Sequence, residues 1–237
     1  MSSLTDDRGY NQMFSPSEAM DIRTERRCDY MLNQMTNVTE QTRILEIGSG
    51  TGELAALLAK KTSAQVTGSD ICVPFIEEAK QKHVAPNLNF IVLDFNKPEV
   101  LENEKFDYIV GNGILHHLYY NLEEALVNIK KLLTPNGKII FLEPNLYNPY
   151  CFLIFNTTER MRNWAKLEPE EMALRKNKVK KQLKRAGYSN IKIEYKDFLL
   201  PNTPKNLIKS VIFLGNIIEK IPLLNKVSQS IFISAQN

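Results

Sequence analysis

From residue 42 onward, short runs of apolar, mostly branched side chains alternate with stretches whose apolar positions recur every three or four residues. Side chains alternate faces along a strand and return to one face about every 3.6 residues along a helix, so the runs predict strands and the stretches predict amphipathic helices. The strand candidates are 43–47 (RILEI), 65–69 (QVTGS), 89–93 (NFIVL), 106–111 (FDYIVG) and 137–143 (GKIIFLE), followed by 190–198 (NIKIEYKDF) and 229–235 (QSIFISA). Helices are predicted near 52–61, 74–83, 122–133 and 168–187. The third carries Asn121 as cap with Glu124 three residues on, buries Leu126, Ile129 and Leu133, and stops at Pro135-Asn136-Gly137. Strands alternating with helices in this way predict an α/β fold built on a parallel sheet.

The two ends of the chain break the alternation. Residues 1–14 read as an extended arm, and Ser15-Pro16-Ser17-Glu18 offers a capping box for a helix to about Met35. Its apolar positions are sparse and Arg23, Arg26 and Arg27 sit among them, so the helix is expected to lie across the surface as a lid. The stretch 199–227 places Leu207, Ile208, Val211, Leu214, Ile218 and Ile221 on one helical face, widened by Ile212, Phe213 and Ile217. That face predicts either a buried lid or a helix that dips into a membrane interface, with Lys205, Lys209, Lys220 and Lys226 at its margins.

Composition narrows the class without naming a function. At 237 residues, 43% hydrophobic and 24% charged, one soluble domain spanning 1–237 is expected, and a net charge of +3 demands no polyanionic partner. Three widely separated cysteines, Cys28, Cys72 and Cys151, suggest neither a disulfide framework nor a metal site. The polar start MSSLTDDRGYNQ lacks a signal-peptide core, and no stretch reaches the roughly 18 to 20 apolar residues a bilayer span needs. A cytoplasmic protein is expected. The basic run 173–187 could follow an RNA backbone, but no aromatic residues interleave with it and Val179 and Leu183 supply a buried seam, so a solvated helix is expected and nucleic acid is not.

The chemistry concentrates at strand ends. ILEIGSGTGELA (44–55) sets Gly48, Gly50 and Gly52 between a strand and a helix, leaving backbone amides open to a ligand. The spacing fits neither a phosphate-cradling P-loop nor the dinucleotide G-x-G-x-x-G, which disfavours a nicotinamide oxidoreductase. Glu46 just before the glycines suits a cation or an amino group. Asp70 ends the next strand, 24 residues on, and Asp94 the third, 24 further; the first can accept two ribose hydroxyls, and Phe95 beside the second can lie against a flat ring.

With these motifs in order, LEIGSGTG, GSDI, Leu93-Asp94-Phe95, FDYIVGNGILHHL (106–118) and LLTPNGKIIFLEP (132–144), the chain resembles a class I S-adenosylmethionine-dependent methyltransferase of the group acting on small molecules and lipids. The match covers about 42–145. The resemblance implies a Rossmann-like, seven-stranded, mostly parallel sheet with an antiparallel last strand and helices on both faces, an amino-terminal helical lid over 1–36, a cofactor-binding core over 42–145, and an acceptor side over 146–237 that includes the apolar insertion. It implies S-adenosyl-L-methionine as cofactor and S-adenosyl-L-homocysteine as product. Glu46, Gly48, Gly50 and Gly52 would surround the methionine portion, Asp70 and Ile71 the ribose and adenine, Asp94 and Phe95 the adenine, and Gly111 and Asn112 the sulfonium side. The family's second glycine after the proline is Asn136 here, and the fourth strand lacks the N-P-P-Y-like motif of nucleobase methylation.

Methyl transfer from a sulfonium needs alignment and exclusion of water, and a base only where the acceptor must lose a proton. His116 and His117 stand past the fourth strand, either packing the loop or serving as that base, with His116 the preferred candidate; Glu143 is expected to orient a loop. The expected reaction is methylation of an oxygen, before nitrogen or carbon, on a small or lipid-linked metabolite, without a metal. The alternatives are a noncatalytic cofactor-binding module and an RNA methyltransferase using 173–187. The acceptor and the oligomeric state are not specified by the sequence.

Overall fold

A computed structural model of the chain describes residues 17–94, 101, 104–165 and 167–237. The arm over 1–14, the Ser15-Pro16 cap and Phe95 lie outside the described residues. Among those described, seven strands form one sheet in the order β3-β2-β1-β4-β5-β7-β6. They are β1 (Arg43–Ile47), β2 (Gln65–Asp70), β3 (Leu88–Val92), β4 (Phe106–Asn112), β5 (Leu133–Pro144), β6 (Ser189–Lys196) and β7 (Ser230–Gln236). β7 runs antiparallel to both its neighbours, and the pairings from β3 across to β5 are parallel. This is the Rossmann-like methyltransferase fold that the sequence motifs imply.

Alternation along each strand divides the core in two. Ile44, Val110, Ile140, Leu142 and Phe232 face one layer, packing on α1 (Glu18–Asn33), α2 (Glu53–Lys61) and α3 (Val73–Lys82). Leu45, Ile109, Phe141, Ile231 and Ile233 face the other, against α4 (Leu122–Lys131) and α7 (Lys176–Arg185). Covering both faces explains why the central strands read as nearly unbroken apolar runs. Strand order reverses between β1 and β4, and their carboxyl ends open the crevice where open α/β sheets bind ligands.

Several local expectations are corrected. The first helix is capped by Ser17, whose Oγ accepts from Met20 N–H. Asn121 makes no side-chain cap bond. Leu133 opens β5, pairing with Phe106, and Pro135-Asn136-Gly137 lies within that strand, where a register shift after Phe106 absorbs it. The helix predicted over 168–187 begins only at Lys176; the residues before it are drawn into the sheet end, with Leu174 bridging Asn145 and Met172 N–H donating to His116 O. Burial of Ala173 and Leu174 outweighs helical propensity there. α5 (Pro149–Phe155), α6 (Glu159–Trp164) and α8 (Ile208–Ile218) complete the helices after β5. α8 buries only Ile208 and Gly215, while Phe213, Leu214 and Ile217 are exposed, so it is not the fully buried lid its sequence suggests. No helix among the described residues is long and apolar enough to cross a membrane.

Two of the three arginines of α1 point inward. Arg23 and Arg27 are buried and share Asp197 Oδ2 at 3.2 and 3.0 Å; Arg27 also donates to Ser230 and, at 2.5 Å, to Asn112 at the end of β4. Burial alone would raise the Asp197 carboxyl, but Arg27 and Arg23 hold it below its ordinary value. Its contribution to stability is therefore complete above the unfolded pKa and lost as pH falls through the folded one. Asp197→Ala leaves two buried guanidinium groups without their carboxylate and is expected to cost about 3–5 kcal/mol, read by urea unfolding at neutral pH, with the gap between variant and parent closing in acid.

Candidate active site

Between β1 and α2 the chain turns through Gly48, Gly50 and Gly52, at φ of 71°, 52° and 89°. This left-handed region is strained for other residues, and at Gly48 a Cβ would also come within 2.8 Å of the Ile114 side chain. Asp70, at the end of β2, holds the turn: its Oδ2 accepts from Gly50 N–H and its Oδ1 from Cys72 N–H, both at 2.9 Å. Burial raises this carboxyl above its ordinary value while those amides pull it down.

The turn closes one end of a cavity of about 850 Å³, within the range of ligand pockets. Its lining includes Glu46 of β1, Gly48, Ser49 and Gly50 of that turn, Asn112, Gly113, His116 and His117 from the end of β4 onward, Arg23 and Arg27 of α1, and Tyr150, Ile154 and Phe155 of α5. Glu46 is 2% exposed and its Oε2 has no hydrogen-bond partner. Burial drives its pKa well above the carboxylate range. A buried carboxyl with one oxygen unpartnered, beside open amides, suits a cation, which is what the amino acid portion of S-adenosylmethionine presents. The residues fit that cofactor.

Of the predicted site residues, Glu46, Gly48, Gly50, Asn112, His116 and His117 line this cavity, and Gly52, Asp70, Ile71, Asp94 and Gly111 do not. Gly52 starts α2, and Gly111 has the Phe141 ring and Ile114 packed where a Cβ would stand. Ile71 is exposed and Asp94 half-buried at the end of β3, on the side toward which Asp70 leads.

In the cavity wall a short 3₁₀ turn, Leu115–Leu118, presents both histidines. Glu143, fully buried near the end of β5, organises it. Its Oε1 accepts from Ile114 and Leu115 N–H at 3.0 and 2.8 Å, and its Oε2 from His116 N–H at 3.2 Å and His116 Nδ1 at 2.9 Å. The expectation that Glu143 orients a loop is thus met, and it orients an imidazole as well. With the proton on Nδ1, the lone pair is on Nε2. Cys151 also lines the cavity, where burial pushes its thiol up to about 11 and so favours the protonated form over the thiolate. Sequence reasoning missed the buried arginines, which look like surface residues of a sparse helix, and Glu171, hidden in a stretch that reads as helix.

Residues 38–187, more than half of the chain, match the model of a family described as a methyltransferase domain. The chain belongs to that family. It is a methyltransferase domain. Among curated proteins it is 30% identical over 200 residues to the probable polyketide synthase 32 of Dictyostelium discoideum, covering 72% of this chain and 6% of that protein; the chain thus spans a small fraction of the relative's length. Among solved structures it is similar to a SAM-dependent methyltransferase from Archaeoglobus fulgidus, with a TM-score of 0.66, 19% identity, and 96% and 98% of the two chains covered. It is also similar to the CMeT domain of the citrinin polyketide synthase, with a TM-score of 0.61, 18% identity, and 95% and 55% covered.

Two measurements test the cofactor end. Glu46→Gln is expected to weaken S-adenosylhomocysteine binding about tenfold to a hundredfold, the worth of a hydrogen bond to a charged group. In the parent protein the bound ammonium lowers the raised Glu46 pKa, so binding releases protons and tightens as pH rises; calorimetry in buffers of different ionisation enthalpy reads this directly. Asp70→Ala removes the acceptor for the Gly50 and Cys72 amides and is expected to abolish saturable binding.

Proposed function

We propose that the chain methylates an acceptor atom that must give up a proton, a hydroxyl oxygen or an activated carbon of a small or lipid-linked metabolite, with His116 taking that proton at Nε2. The observation that carries this reading is the Glu143 carboxylate on His116 Nδ1, which leaves the other nitrogen of a cavity-lining ring free to accept. S-adenosylmethionine held by Glu46 and the glycine turn would supply an electrophilic methyl carbon, its sulfonium bond breaking to release the thioether of S-adenosylhomocysteine. The rest is positioning and exclusion of water: α1 lies over the cavity through the Arg27–Asn112 bond, and Tyr150, Ile154 and Phe155 offer an apolar wall to the acceptor.

Oxygen stands first from the sequence alone. The polyketide synthase likeness supports a second reading, an activated carbon beside a carbonyl on an acyl chain. Both need a base, and both are tested together with ¹³C-methyl S-adenosylmethionine and a set of β-ketoacyl thioesters and hydroxylated aromatic or lipid acceptors. A methyl carbon bonded to carbon or to oxygen in the product agrees with the proposal; transfer only to nitrogen contradicts it. His116→Gln is expected to lower kcat about 10²- to 10⁴-fold, the usual range for loss of a general base.

An apolar acceptor agrees with the surface beyond the cavity. α8 and the residues after it expose Phe213, Leu214, Ile217, Leu223 and Leu224, with Lys205, Lys209, Lys220 and Lys226 along the same stretch, a combination that suits peripheral contact with an anionic lipid surface. The protein is expected to sediment with phosphatidylserine vesicles at low salt, and Phe213→Ser with Leu223→Ser to reduce the bound fraction severalfold. Equal sedimentation of parent and double variant contradicts this contact.

A further inference from the structure

His116 faces a second carboxylate that the methyl-transfer reading does not use. The extended segment before α7, fastened by the Met172 N–H bond to His116 O, brings Glu171 beneath the two histidines. Its Oε2 stands 3.8 Å from His116 Nε2, and its Oε1 3.5 Å from His117 Nδ1. Glu168 adds an oxygen 3.9 Å from the same His117 nitrogen. One ligand atom from each of His116, His117 and Glu171 can be chosen so that all lie within 4.8 Å of one another.

Glu171 is 2% exposed, and its Oε2 has no hydrogen-bond partner. Because Glu143 fixes the His116 proton on Nδ1, Nε2 presents a lone pair to an oxygen that also has only lone pairs when ionised. At 3.8 Å the gap is too long for one hydrogen to bridge. A cation between the three side chains removes this conflict.

The geometry agrees. Metal–ligand bonds of about 2.0 to 2.2 Å set tetrahedral donor atoms about 3.4 Å apart, close to the shorter separations seen here and within reach of the longer by side-chain rotation. Two imidazole nitrogens with one carboxylate select zinc, cobalt, nickel or ferrous iron over magnesium or calcium. Glu143 behind His116 is the outer carboxylate that commonly orients a ligating histidine. Both histidines line the cavity, so further coordination positions open toward the acceptor.

We propose that His116, His117 and Glu171 form a binding site for a divalent transition metal at the acceptor end of the cavity, and that its occupation silences methyl transfer by engaging the His116 Nε2 lone pair. The second half rests on His116 acting as base; the first does not. The test is titration of chelator-treated protein with Co²⁺, followed by its visible absorption, in the parent, in Glu171→Gln and in His117→Asn, each first shown to bind S-adenosylhomocysteine. Glutamine keeps an oxygen for the Glu168 amide that now donates to Glu171 Oε1, and removes the charge. One Co²⁺ per chain, bound more than about tenfold more weakly by either variant, and Zn²⁺ inhibition of labelled methyl transfer over the range in which Zn²⁺ displaces Co²⁺, are the expected results. No absorption band, or a band unchanged in both variants, overturns the site. Binding without inhibition overturns the silencing, and stimulation by metal overturns both the silencing and the role of His116 as base while leaving the site intact.

Discussion

Everything on the acceptor side depends on one buried carboxylate. Glu143 sits near the end of β5, where the sheet is covered on both faces, and a charge there is tolerated only because three backbone amides and one imidazole point at it. Those four bonds do two things together. They terminate the orphan amides of the turn after β4, which has no strand partner for them, and they fix which nitrogen of His116 carries the proton. The shape of the loop and the chemistry of the ring are therefore set by the same group. Replacing it by an apolar residue would leave the amides unsatisfied and the ring free to turn.

The cofactor end follows the opposite logic. Glu46 is buried with an oxygen left unpartnered, whereas Asp70 is engaged by the Gly50 and Cys72 amides, which shapes the turn. α1 then covers the site through Arg23 and Arg27, whose charge is answered by Asp197 from the loop after β6, so residues far apart in sequence fix the lid relative to Asn112.

The parallel strands, the glycine turn and the acids at strand ends were legible because each is a local pattern: a branched apolar run, three glycines at alternate positions, an acid at a run's end. What escaped is non-local. Arg23 and Arg27 look solvent-facing until Asp197 is brought beneath them. The segment before Lys176 has helical composition, yet its backbone pairs with Asn145 and His116, and that pairing places Glu171 in the site. α8 has an apolar face wide enough for burial, but the fold offers it only the neighbourhood of Ile208 and Gly215, and the rest stays exposed. In each case the missing information is the identity of the partner surface, which no window of sequence contains.

The central claim is that Glu143 holds His116 as the Nδ1–H tautomer with an accepting Nε2. Nitrogen NMR of the ¹⁵N-histidine-labelled protein bound to S-adenosylhomocysteine, in chelator-treated buffer, tests it directly. The account predicts a protonated, pyrrole-type Nδ1 and a pyridine-type Nε2 for His116, with the Nδ1 signature lost in Glu143→Gln. A His116 ring protonated on Nε2 instead, or one averaging between tautomers, would contradict it.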